Sequence, residues 1–126
     1  MRIFHAFLMT LALFFAPAVE AQGAFGTGAP HIAVRLVPES AAPAPGRTIN
    51  IAFAMTPEAG WHGYWQNPGD AGLGMTVKWV LPKGVSIGEL RYPVPETLLI
   101  SGLMNNVYEG PYAILAPLTI APDVAN

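Results

Sequence analysis

Apolar and polar positions alternate in short runs from residue 31 to residue 120, and a helical period of 3.6 never persists. His31 to Val37 sets Ile32, Val34 and Leu36 on one face and Ala33 and Arg35 on the other. The clearest run, Arg47 to Met55, places Ile49, Ile51, Phe53 and Met55 opposite Thr48, Asn50, Ala52 and Ala54. Trp61 to Trp65 reads as a short aromatic strand, with Trp61, Gly63 and Trp65 on one side and His62 and Tyr64 on the other. Met75 to Leu81 alternates again, and Val85 to Arg91, Leu98 to Ile100 and Tyr112 to Ile120 complete the strand candidates. Pro117 predicts an edge position or a bulge for the last of these. Turn chemistry separates the runs at 38–46, 56–60, 67–74 and 82–84, while Tyr92-Pro93-Val94-Pro95-Glu96 is extended without being a central strand. About seven or eight short strands at this spacing predict an all-β, immunoglobulin-like sandwich, with an open barrel as the alternative. Its expected core is Ile49, Ile51, Phe53, Trp61, Val77 and Trp79.

The N-terminus breaks this pattern. One fixed cation, Arg2, precedes a run from Ala6 to Ala16 that is apolar except at Thr10. Pro17 ends it, and Val19-Glu20-Ala21 offers small residues where a signal peptidase reads. The expectation is a cleaved signal peptide over 1–21, a mobile segment over 22–30 and one domain over 31–126, exported to the periplasm. A retained membrane anchor is the alternative, but about 20 apolar residues are needed to cross a bilayer. The closing Ala121-Pro122-Asp123-Val124-Ala125-Asn126 follows a strand candidate directly, so a domain incomplete at its C-terminus is also expected.

Removing the leader leaves roughly 100 residues, one domain with a core of its own and too little for two. Apolar residues make up 52% and charged ones 11%, which excludes a disordered charged tail. The net charge of -2 is unchanged by processing, since Arg2 and Glu20 leave together; with no basic patch, nucleic acid is not expected as a partner. There is no cysteine, so the chain supplies neither a disulfide staple nor a thiol.

Candidate chemistry concentrates in Gly60-Trp61-His62-Gly63-Tyr64-Trp65-Gln66-Asn67-Pro68-Gly69-Asp70. Two readings of this stretch stand side by side. Indoles on an inner face anchor the sandwich; or His62 and Tyr64, on the outer face, meet a partner. Asn67 and Asp70 either shape their own turn or join that contact. Tyr108, beside Glu109-Gly110, is expected in another turn at the same end, or as a corner tyrosine. The contact candidates are therefore His62, Tyr64, Asn67, Asp70 and Tyr108. His31 and His62 do not stand at metal-ligand spacing, and Met104 is the one mature methionine off the predicted core faces, so neither a metal nor a cofactor is expected. Ser40, Ser86 and Ser101 lie in no nucleophile-elbow setting, and a complete active site is not legible.

The segment from Gly60 to Gly72 resembles the G-W-H-x-Y-W-x-N-P-G-D-x-G motif of the N-terminal periplasmic domain of DsbD-like thiol:disulfide interchange proteins, in particular the suppressor-of-copper-sensitivity (ScsB-like) branch. Trp79-Val80-Leu81-Pro82-Lys83-Gly84-Val85 is similar to that branch's W-x-L-P-x-G-V, and Tyr92-Pro93-Val94-Pro95-Glu96 to its aromatic-P-x-P-E. Asn106-Val107-Tyr108-Glu109-Gly110 looks like its Y-G-Y-E-G, departing at Asn106 and Val107. The resemblance spans about residues 31–120 and implies a β-sandwich that precedes a membrane-embedded redox domain and a thioredoxin-like domain. It implies periplasmic thioredoxin-like or thiol-containing proteins as partners. No catalytic residue carries over, because no position here holds a thiol; a stand-alone binding module without a redox role remains the alternative.

Overall fold

The computed structural model describes residues 29–124, all strand, turn and irregular backbone with no helix. The expected signal peptide, the cleavage point after Ala21 and nearly all of the 22–30 segment lie outside the described residues. Seven strands form: β1 (Ile32–Pro38), β2 (Thr48–Pro57), β3 (Gly63–Gly69), β4 (Val85–Ile87), β5 (Glu96–Ile100), β6 (Leu103–Tyr108) and β7 (Tyr112–Ile120). They make a four-stranded antiparallel sheet in the order β1-β2-β7-β4 and a three-stranded one in the order β3-β6-β5. This is an all-β, immunoglobulin-like sandwich. Relative to the usual order of that fold, the fifth and seventh strands have exchanged sheets.

The alternation in β2 does what its sequence dictates. Phe53 and Met55 are buried, and their register partners on β7, Ile114 and Tyr112, lie on the same face. Phe53, Met55, Ile114 and Ala116 form the core, with Met75, Val77 and Trp79 packed against it. Ile49 and Ile51 share this face but are only half-buried.

Four expectations are corrected. Trp61 is not a core residue: it is 49% exposed, because the strand begins only at Gly63. Trp61 instead closes a turn through its N–H to the Glu58 carbonyl (2.9 Å) and stacks on His31, ring centroids 3.6 Å apart. Met75–Leu81 keeps its alternating burial but joins no ladder. Strand β7 is central, not an edge. Pro117 is tolerated there because its missing donor points toward β4, whose ladder stops at Ile87; only the Pro117 carbonyl is used on that side, accepting from Gly88 N–H at 2.8 Å.

The fourth concerns a strand that the pattern concealed. β6 is the middle strand of the second sheet, joined to β5 by the two-residue turn Ser101-Gly102. Both residues have positive φ, 51° and 82°, the signature of a type I′ hairpin that matches strand twist. Glycine adopts this backbone freely, and Ser101 is the only non-glycine among the described residues that does so.

Candidate functional site

β3 positions most of the predicted contact residues, and its alternation is anchored by Gly63. Gly63 is buried against the Tyr112 ring, where a Cβ would collide with the hydroxyl and two ring carbons. Its register partner on β6 is Tyr108, whose ring also turns to Tyr112, with centroids 4.1 Å apart and planes 20° from parallel. Gly63 and Tyr108 therefore face the first sheet, and His62 and Tyr64 project from the opposite side.

His62 and Tyr64 are half-buried and pack edge to face, with ring centroids 5.0 Å apart. The Tyr64 ring lies over Gly72, so the loop after β3 folds back onto the aromatic pair. Asn67 and Asp70 hold that loop to β6. Asp70 Oδ2 accepts from Met104 N–H (2.8 Å), and Asp70 N–H donates to the Met104 carbonyl at the same distance. Asn67 Oδ1 accepts from Gly69 N–H (3.3 Å), and the Asn67 carbonyl takes a 3.0 Å bond from Asn106 Nδ2. The pairing register shifts between Tyr64 and Gly69, so this is a bulge rather than a free loop. Asn67 thus bonds within its own turn, and Asp70 ties the turn to β6.

The structure brings His62, Tyr64, Asn67 and Asp70 to one strand and its adjoining loop, but it separates Tyr108 from them. Tyr108 is in β6, not in a turn, and is 6% exposed. Its hydroxyl donates to the Pro93 carbonyl at 2.7 Å, tying the proline segment to the second sheet. A cavity of about 280 Å³ opens beside it, lined by Pro93, Val94 and Glu96 and by residues 108–113.

Burial, reinforced by Tyr112 and Tyr92, pushes the Tyr108 hydroxyl up to about 12, and burial likewise raises Tyr112 and Tyr92 above the ordinary 10.0. The folded state thus holds these protons more tightly than the unfolded chain. The stabilisation is complete below pH 10 and is lost as pH climbs from 10 toward 12. Alkaline unfolding followed by circular dichroism is expected to coincide with tyrosinate absorbance in that window. In Tyr108→Phe the stability loss there becomes shallower, and at neutral pH about 1 kcal/mol disappears with the bond to Pro93.

One residue of the site was not anticipated. Asn105 is 1% exposed and is the buried polar side chain among the described residues. Its Nδ2 donates to the Leu103 carbonyl at 3.0 Å, while its Oδ1 has no partner. Its parity in β6 sets it on the Tyr64 side, one pair along the ladder. The signal was present as two adjacent amides, Asn105-Asn106, inside an otherwise apolar run.

The fold and this arrangement define a small two-sheet domain with an aromatic-polar surface on one strand and no thiol anywhere in its sequence. The model of the family described as thiol:disulfide interchange protein DsbD, N-terminal, matches residues 33–126, and the chain belongs to that family. Comparison with curated proteins and with solved structures returns no match. Membership makes the chain a module of a thiol:disulfide interchange system.

Proposed function

We propose that the chain is a docking module of that system: it receives a periplasmic thioredoxin-like or thiol-containing protein on the His62–Tyr64 side of β3 and leaves the thiol chemistry to other polypeptide. The observation that carries this reading is the paired His62 and Tyr64 rings, held by the bulge and the Gly72 loop on the side of β3 opposite Gly63 and Tyr112. An ordered aromatic pair beside a fixed loop presents a contact surface with little entropy left to lose. Asn67 and Asp70 serve by fixing the loop, and Tyr108 by holding the proline segment from within. A membrane-embedded redox domain is the natural neighbour for such a module, and reading the gene past Asn126 tests that directly.

The double substitution His62→Ala, Tyr64→Ala separates docking from packing. If the pair is a contact surface, the variant melts within a few degrees of the parent and loses binding to purified periplasmic thioredoxin-like proteins. If the pair only packs, stability falls by about 1–3 kcal/mol while the folded fraction binds as before. A stand-alone binding module is the second reading, favoured by the complete absence of cysteine. It predicts partners that bind equally well in oxidised and reduced form.

Export through the N-terminal leader belongs to the same proposal. Mass spectrometry of the exported protein is expected to show Gln22 as the first residue; a mature species that retains Met1 overturns it.

A further inference from the structure

After β3 the chain runs from Ala71 to Leu81, with Gly74 set against the carbonyls of Trp65 and Gln66. From Met75 onward its side chains alternate as those of a strand do. Met75, Val77, Trp79 and Leu81 are half-buried, Thr76 and Lys78 are exposed, and Val80 is 90% exposed. Trp79 meets Phe53 edge to face, ring centroids 5.7 Å apart, so the inward side of this segment belongs to the core. Yet among the described residues no backbone hydrogen bond involves residues 71–81. A strand-patterned segment anchored by its side chains, with backbone donors and acceptors unpaired, is a template for another strand.

The neighbouring face is open too. Val34 and Leu36 are the register partners of Met55 and Phe53, so they point to the core side of the first sheet. They remain 55% and 57% exposed, although Ile32 at the start of the same face packs against the core. An open edge and uncovered apolar side chains thus adjoin the same Phe53.

We propose that Met75–Leu81 is the acceptor edge for an extended strand donated by a different protein. The donor carries apolar side chains at alternate positions, which reach toward Val34 and Leu36, and an acidic side chain opposite Lys78. Main-chain pairing supplies affinity in such β-augmentation, and alternate side chains supply specificity. Lys78 is the only charged residue of 71–81, and no ion pair holds it among the described residues. It also argues against a second copy: antiparallel pairing of two such edges about their centre sets Lys78 against Lys78, and like charges directly opposite are unfavourable. The edge would recruit this strand whether or not the module serves thiol:disulfide exchange.

The test uses the purified chain and a short synthetic peptide of alternating valine and threonine with one central glutamate. Saturable binding is expected, read from tryptophan fluorescence, together with new protection of the 75–81 amides from hydrogen exchange. A peptide with central lysine is expected to bind about fivefold more weakly, and Lys78→Glu to reverse that order. Methylating alternate peptide nitrogens on the pairing edge should abolish binding. The proposal is overturned if the 75–81 amides are already protected in the free monomer, or if the methylated peptide binds equally well. It also fails if Lys78→Glu leaves the order unchanged, or if the chain dimerises through this edge.

Discussion

Ile114→Ala is expected to destabilise the domain by about 2–5 kcal/mol, among the largest losses that any truncation here can cause. Ile114 is fully buried, pairs with Phe53 across the β2–β7 ladder, and belongs to the cluster against which Met75, Val77 and Trp79 pack. Packing on several sides prevents the cavity from collapsing, which is the condition under which a lost side chain costs most. For a domain of this size the melting temperature is expected to drop by roughly 10–20 °C in differential scanning calorimetry. Leu73→Ala is the control, since Leu73 is 87% exposed and its loss should stay within about 0.5 kcal/mol. Equal effects from the two substitutions would refute the placement of the core.

Gly63→Ala is expected to act by the opposite route. Its added methyl meets the Tyr112 ring, which cannot retreat because Tyr108 is stacked on it. Overpacking at such a site costs about 1–3 kcal/mol, through displacement of the ring or of β3. The Tyr112 hydroxyl is not the only atom in the way; two ring carbons crowd the same point. Tyr112→Phe should therefore recover little of the loss, and chemical denaturation of the single and double variants measures this. A Gly63→Ala protein as stable as the parent would show that β3 does not approach the first sheet so closely.

Period-2 alternation made β2 and the inward positions of Met75–Leu81 legible, because it reports which side chains are buried. It carries no information about backbone partners, and the same pattern therefore suggested a ladder at Met75–Leu81 where none forms. β6 was hidden for a different reason. Asn105 and Asn106 interrupt its apolar run, and the Ser101-Gly102 turn is so short that β5 and β6 merge into one stretch of sequence. Without β6 the parity of Tyr108 cannot be assigned, and the sequence leaves a turn residue and a corner tyrosine as its two readings; the bond to the Pro93 carbonyl comes nearer the second. Trp61 misled through its size: a large indole next to a strand start suggests burial, but His31 offered it a stacking partner at the surface. The local roles of Asn67 and Asp70 were readable from turn chemistry alone, whereas their bonds to Asn106 and Met104 depend on a strand that was not in view.

The ladder between β2 and β7 also sets the order in which the molecule can be assembled. Thr48 pairs with Thr119 and Met55 with Tyr112, so the central pairing of the first sheet joins the two ends of the domain. The hairpin at Ser101-Gly102 and the β1–β2 pair need only short loops to close, but Phe53 has no Ile114 to pack on until β7 arrives. Closing so long a loop before its contacts form makes folding slow, on the millisecond-to-second scale typical of sandwiches rich in distant pairings. A chain delivered N-terminus first thus keeps Phe53, Met55 and the first β-pair exposed until β7 emerges. For that interval it depends on whatever holds unfolded chains apart in its compartment.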